Sequence, residues 1–252
     1  MTKLSWTGFS KKTPQERKEH LKKNALLSQK NQDLLDKDQQ LTLETANQMA
    51  ENVIGRFTLP FAVCPDVLVD GVTYQVPMVT EEPSVVAAAS YASKLIKRSG
   101  GFTTTIHNRQ MIGQVALFDV PDKAAASSKI QAASQDLIEI AKEAHPSIVK
   151  RGGGPRRLWT EVKGDFLIVY LAVDTQEAMG ANMVNTMMEA LVPELENLSE
   201  GQSLMAILSN LATESLVTAT CRLNTRFLSR NKDEAHDLAK KMEMASQLAQ
   251  VD

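Results

Sequence analysis

Two adjacent carboxylates, Glu81 and Glu82, stand directly ahead of the run Pro83-Ser84-Val85-Val86-Ala87-Ala88-Ala89-Ser90. Small apolar neighbours can keep a carboxyl group partly out of water, which raises its pKa and suits it to donate a proton. The same pair at a solvated helix end would only complement the helix dipole, the commoner use of surface carboxylates, and the residues leave both readings open. A second candidate is Glu177-Ala178-Met179-Gly180-Ala181-Asn182, where a glycine in the first turn of a helix would let a phosphate approach the free N–H groups. The GxGxxG spacing is absent, and Met179, Met183 and Met187 at helical intervals read more simply as core. A third is Arg151-Gly-Gly-Gly-Pro-Arg-Arg157, which fits a phosphate cradle and equally a flexible helix-to-strand connection. Over 142–157 the cations Lys142, Lys150, Arg151, Arg156 and Arg157 face only Glu143, an excess that suits a phosphorylated ligand or a solvated charged face.

The elements that must position these residues follow from pattern. Residues 14–50 read as two polar amphipathic helices, the first opened by Thr13-Pro14 with Glu16 and the second closed at Gly55. Residues 57–79 read as two short strands about the Asp70-Gly71 turn. Pro83 at a first helical position predicts a helix from there to Arg98, ended by Gly100 and Gly101, with Glu82 as its cap or pre-cap residue. Its residues are small or apolar all round, so a buried helix is expected. Beyond Gly101 the order is a strand (111–120), a helix (122–144), a hairpin turning at Lys163-Gly164, a helix from near Glu177, and strands at 203–211 and 215–223. Strand, helix, hairpin, helix, strand is the split βαβ pattern, a small sheet with two helices on one face. The predicted class is α+β: an N-terminal helical arm (1–50), a large domain begun at 51–108, an inserted small ferredoxin-like domain (109–212), and a return to the large domain (213–252). The last helix, 231–252, reaches the chain end with no cap or polar tail and looks interrupted.

Composition bounds the functions. The 252 residues are 43% hydrophobic and 23% charged, ordinary globular values sufficient for one large or two modest domains. A net charge of -2 and 5% aromatic residues give no general pull toward nucleic acid or anionic membrane and no base-stacking platform. Cys64 and Cys221 are far apart, and His20, His107, His145 and His236 show no HxxxH pattern, so reduced thiols and no metal are expected. Residues 1–23 contain no apolar h-region and no run reaches membrane-spanning length, so a cytoplasmic protein is the expectation.

Taken together, ENVIG (51–55), PMVTEEPSVVAAASY (77–91), GGFTT (100–104), RGGGPR (151–156), DTQEAMGANMVNTMMEAL (174–191) and ILSN (207–210) resemble class II, bacterial-type 3-hydroxy-3-methylglutaryl-CoA (HMG-CoA) reductases. The resemblance implies a four-electron reduction in which the HMG-CoA thioester takes two hydrides in succession from a nicotinamide cofactor, giving mevalonate and free CoA. It implies that Glu82 is the catalytic proton donor and that Ser84 and Asn210 contact substrate. Met179, Gly180, Ala181 and Asn182 match the dinucleotide-binding stretch, which is not a standard Rossmann fold, and Glu177 stands where many members have aspartate. The ribose-side segment holds His145 among basic neighbours, which favours NADPH with NADH as the other possibility. Family chains also carry a lysine in HNKG, an aspartate in GNDWR and a histidine on a C-terminal flap, none of which occurs in these 252 residues. The expectation is therefore a truncated or split reductase, inactive alone, associating as a homodimer or larger species, with a separate C-terminal fragment as the partner that would complete a split chain. The alternative is a non-catalytic dinucleotide-binding or assembly remnant of that family.

Overall fold

The computed structural model describes residues 5–37 and 41–251. The first four residues of the stretch read as lacking a leader, and the terminal Asp252, lie outside them. The chain divides into two compact units, residues 1–103 with 220–252, and residues 104–219.

The first unit opens with a capping box. Thr13 Oγ1 accepts from the Glu16 N–H at 3.2 Å and the Glu16 carboxylate accepts from the Thr13 N–H at 2.7 Å, starting α1 (Pro14–Lys23). The second of the two predicted polar helices forms only in part. The segment instead contains α2 (Gln29–Lys37), tied to α1 by Lys18 and Lys22 on Asp36, and a short α3 (Leu43–Met49) capped by Thr42. Strands β1 (Phe61–Val69) and β2 (Val72–Val79) pair antiparallel about Asp70 and Gly71, both at positive φ (48° and 81°), the conformation a tight two-residue hairpin turn requires. Packed on β1 is α4 (Val85–Arg98), held by a Lys97–Asp66 ion pair of 2.6 Å and a Cys64 Sγ to Ser93 Oγ contact of 3.6 Å. Helix α4 is not the buried helix expected: of its residues only Ser93 and Leu95 are buried. After residue 220 the unit closes with α9 (Lys232–Val251).

In the second unit, β3 (Thr103–Ile106) pairs with β8 (Val217–Thr220) as a separate ladder. Between them the chain runs β4 (Gln110–Phe118), α5 (Lys123–Ala132), α6 (Ser134–Ala144), α7 (Pro146–Lys150), β5 (Gly154–Lys163), β6 (Phe166–Asp174), α8 (Ala181–Ser199) and β7 (Gln202–Leu208). The sheet order is β5-β6-β4-β7, every pair antiparallel, which is the ferredoxin-like arrangement expected from the strand–helix–hairpin–helix–strand order. The predicted single helix over 122–144 breaks into α5 and α6 at Ala133, and Lys163 pairs with Phe166, so the hairpin turns one residue later, at Gly164-Asp165.

Alternation along β6 explains the layering. Leu167, Val169, Leu171 and Val173 enter one core with Val115 and Leu117 of β4 and Met187, Met188, Leu191 and Leu195 of α8, all essentially inaccessible to solvent. Each such side chain contributes about 1.5–3 kcal/mol relative to exposure. Ile168 and Tyr170 point to the other face, with Ile112, Ala116 and Trp159. Helix α8 crosses β4 at Gly113, where a Cβ would come within 2.5 Å of Met188 Cγ and 2.7 Å of Val184 Cγ1. Among the described residues no helix is long and apolar enough to cross a membrane.

Candidate functional site

The sequence-predicted residues fall in both units. In the first, β2 ends at Val79 and the chain bends through Glu81 and Glu82 to a turn at Pro83-Ser84. Pro83 does not begin the helix. Ser84 takes a left-handed conformation (φ 72°) at the cap position, its carbonyl accepting from the Ala88 N–H at 2.8 Å, and α4 starts at Val85. The reason is local, because a proline disfavours the helical conformation at its predecessor Glu82 and the left-handed serine interrupts helical continuity. Glu82 is thus neither cap nor pre-cap: it stands exposed two residues before the cap, its N–H donating to Thr80 Oγ1 at 3.1 Å. The expected desolvation of this carboxylate by the small-residue helix is not present in this unit. A non-glycine residue held left-handed costs of order 1–3 kcal/mol and concentrates at functional sites, and Ser84 is such a residue beside Glu82.

In the second unit the predicted nucleotide stretch lies where β6 gives way to α8. Helix α8 begins at Ala181, four residues later than expected, because Gly180 is left-handed (φ 84°) and serves as its cap. A Cβ on Gly180 would stand 2.5 Å from Thr175 Cγ2 and 3.1 Å from Met111 Sδ, so only glycine fits. Buried Thr175 ties the turn, its hydroxyl donating to the Ala178 carbonyl and its carbonyl accepting from the Ala178 N–H, each at 3.1 Å. Met179, read as core, is instead 75% exposed, and Asn182 is exposed beside it; Met187 and the neighbouring Met188 form the core that the spacing pointed to. The glycine-capped start of a long helix, with exposed side chains on either side, can receive an anionic group.

The glycine run 152–154 is an ordered crossing. Gly153 and Gly154 are buried, and a Cβ on Gly153 would lie 2.6 Å from the Asp174 carbonyl. Around that crossing Arg156 contacts Asp174 Oδ2 at 3.2 Å and the Gly152 carbonyl. Arg109 reaches Asp174 Oδ1 at 4.0 Å, Gln176 Oε1 at 3.3 Å and Glu177 Oε1 at 3.0 Å. Partial burial pushes the Asp174 carboxyl up, but the Gln176 N–H with Arg156 and Arg109 outweighs it and holds the group below the ordinary aspartate value. Glu177, near which the helix was expected to begin, lies before its start and is this partner of Arg109. Arg109 and Asp174 were not singled out from sequence, because only the register pairing Gln110 with Asp174 brings the arginine to the end of β6.

His145 caps the junction of α6 and α7, half-buried, with Nδ1 3.1 Å from Ser147 Oγ, while Lys142 of the basic excess is held by Glu139 at 2.8 Å. Asn210 is exposed in the loop after β7, between Ser209 and Leu211, which with Arg157, Trp159, Tyr170 and Glu214 line a cavity of about 270 Å³ on the sheet face away from the helices. The second unit therefore brings His145, Met179–Asn182 and Asn210 into one small domain, and the first carries Glu82 and Ser84. Among the described residues no three His, Cys, Asp or Glu side chains converge as a metal site.

The fold that carries these residues is shared with solved class II reductases. The class II 3-hydroxy-3-methylglutaryl-CoA reductase of Streptococcus pneumoniae, solved with NADPH in open conformations, superposes with a TM-score of 0.96 at 61% identity, covering 98% of this chain and 68% of that one. A second structure from the same organism matches at the same score and identity and covers 60% of that chain. The model of the hydroxymethylglutaryl-coenzyme A reductase family matches residues 13–252, and the chain belongs to that family. Among curated relatives, the Archaeoglobus fulgidus reductase is 43% identical over 185 residues (72% of this chain, 42% of that protein). The probable reductase of Borreliella burgdorferi is 32% identical over 206 residues (79% and 46%). The chain thus spans less than half the length of these two relatives.

Proposed function

We propose that this chain carries out its part of an NADPH-dependent reduction of HMG-CoA to mevalonate and CoA, with NADH the less favoured cofactor. The observation that carries the reading is the start of α8, where a left-handed Gly180 packed against Thr175 caps the helix and Met179 and Asn182 stand exposed beside it. The S. pneumoniae neighbour bound to NADPH supports the choice of ligand. The donor set fits a dinucleotide: the helix N-terminus would offer N–H groups to a diphosphate, and Met179, Gly180, Ala181, Asn182 and His145 are the residues that would hold the cofactor. The cofactor supplies two hydrides in succession, one per bound molecule. In the balanced reaction HMG-CoA, two NADPH and two protons give mevalonate, CoA and two NADP⁺.

The chain's own residues have separate tasks. Ser84, fixed left-handed in the first unit, and Asn210 in the second are each assigned a contact to substrate, and Glu82, accessible on the shoulder before α4, is assigned as the group that gives a proton to the carbonyl oxygen as hydride arrives at carbon. Exposed apolar side chains in the first unit, among them Ile54, Phe57, Phe61 and Tyr91, support a homodimer or larger assembly in the cytoplasm, with a C-terminal fragment as a further partner.

The test follows nicotinamide absorbance with HMG-CoA present, for the 252 residues alone and with a polypeptide supplying the remaining length of the relatives. The chain alone is expected to show no oxidation above background. The completed protein turns over, and Glu82→Gln abolishes it. Unchanged turnover by that variant would overturn the role of Glu82, and NADPH binding without turnover in the completed protein would favour a binding remnant.

A further inference from the structure

The geometry points to Arg109 as a positioning residue that sets the turn Asp174–Gly180 for the dinucleotide and cancels the negative charge standing at its mouth; this rests on the proposed cofactor reading. Arg109 precedes β4, and because Gln110 pairs with Asp174 its guanidinium reaches across to the end of β6. There it makes one contact to each of three residues of the turn: Nη1 to Glu177 Oε1 at 3.0 Å, Nη2 to Gln176 Oε1 at 3.3 Å, and Nη2 to Asp174 Oδ1 at 4.0 Å. Arg156 holds the other Asp174 oxygen from β5 at 3.2 Å, and Gln176 Nε2 donates to that same oxygen at 3.1 Å.

The charges explain why a second arginine is needed. Glu177 is 93% exposed and lies three residues before the glycine cap, in the turn that leads into the helix start. A carboxylate there repels the ligand that the helix terminus attracts. Asp174 and Glu177 together are balanced by Arg109 and Arg156, and removing Arg109 leaves one uncompensated negative charge. The pair is worth little to folding, since Arg109 is itself 51% exposed and solvent screens the interaction. Its effect falls on ligand affinity, which separates this role from a structural one.

The test is calorimetric NADPH binding to the 252-residue chain and its variants Arg109→Met, Arg109→Lys, Glu177→Gln and Arg109→Met/Glu177→Gln. Arg109→Met is expected to weaken binding about tenfold, Arg109→Lys to retain most of it, and the double variant to recover to within about threefold of the parent, because the unpaired carboxylate has gone. Melting midpoints should stay close to the parent's throughout. Parent-like affinity in Arg109→Met, or no recovery in the double variant, would overturn the inference. If Arg109→Met does not fold, Arg109→Gln with and without Glu177→Gln carries the same comparison. If the parent binds no NADPH, the cofactor reading fails, and hydrogen exchange at the Gln176 and Ala178 amides decides the positioning role separately. Faster exchange in Arg109→Met or Arg109→Lys upholds it and unchanged exchange overturns it.

Discussion

Replacing Gly180 with alanine tests the start of α8 at its tightest point. The new methyl group would meet Thr175 Cγ2 at 2.5 Å and Thr175 Cβ at 2.8 Å, and these atoms belong to a buried residue fixed by two hydrogen bonds to Ala178. The backbone at φ 84° adds its own strain, about 1–2 kcal/mol for a residue with a Cβ. Relieving the overlap by moving Thr175 or unwinding the first turn costs a further 1–3 kcal/mol or so. Loss of glycine's freedom in the unfolded chain offsets about 0.4–1 kcal/mol. The net destabilisation is about 2–4 kcal/mol, which for a unit of this size lowers the melting midpoint by roughly 8–16 °C. Trp6 and Trp159 are the two tryptophans, one in each unit, so a Trp6→Phe background leaves Trp159 fluorescence to report the second unit alone. A midpoint within 2 °C or so of the parent would refute the reasoning, because it would mean that the turn opens without cost.

Other consequences follow from the same geometry. Leu191→Ala empties a fully buried position between α8 and the sheet and should cost about 2.7–5 kcal/mol in urea unfolding. Asp174 is held below its ordinary pKa in the folded chain, so its contribution to stability is complete above the unfolded value, near 3.8, and fades as the pH falls below that through the lower folded value. Urea midpoints across that range should therefore fall more steeply for the parent than for Asp174→Asn. Ser84→Gly removes a left-handed side chain and should leave stability within about 1 kcal/mol of the parent while weakening substrate binding in the completed protein; a large loss of stability would show that the Ser84 side chain serves packing instead.

Much of the second unit was legible because its signals are local or periodic. The apolar run of β6 and the order strand, helix, hairpin, helix, strand announce a ferredoxin-like layer without any knowledge of contacts. The Asp70-Gly71 hairpin was legible for the same reason, since positive φ at both turn residues is a local preference. Helix starts were read too early at both candidate sites. Pro83 and Glu177 are good first-turn residues, but Ser84 and Gly180 turn left-handed just after them, a conformation set by Thr175 and Met111 in one case and by the bend from β2 in the other. The burial of α4 was misread because small residues all round a helix show what could pack closely, not what lies beside it in this unit. Arg109 and Asp174 stayed hidden until strand register placed residues 65 positions apart at one sheet end.

The start of α8 is the proposed place at which this chain holds a nicotinamide dinucleotide. Titrating the isotope-labelled chain with NADPH while recording backbone amide NMR shifts tests it directly. The largest changes are expected at Met179, Gly180, Ala181 and Asn182, with a second group at His145 and Ser147, and NADH should produce the same pattern at higher concentration. Saturable changes centred away from α8 and His145, or none at millimolar NADPH, would contradict it.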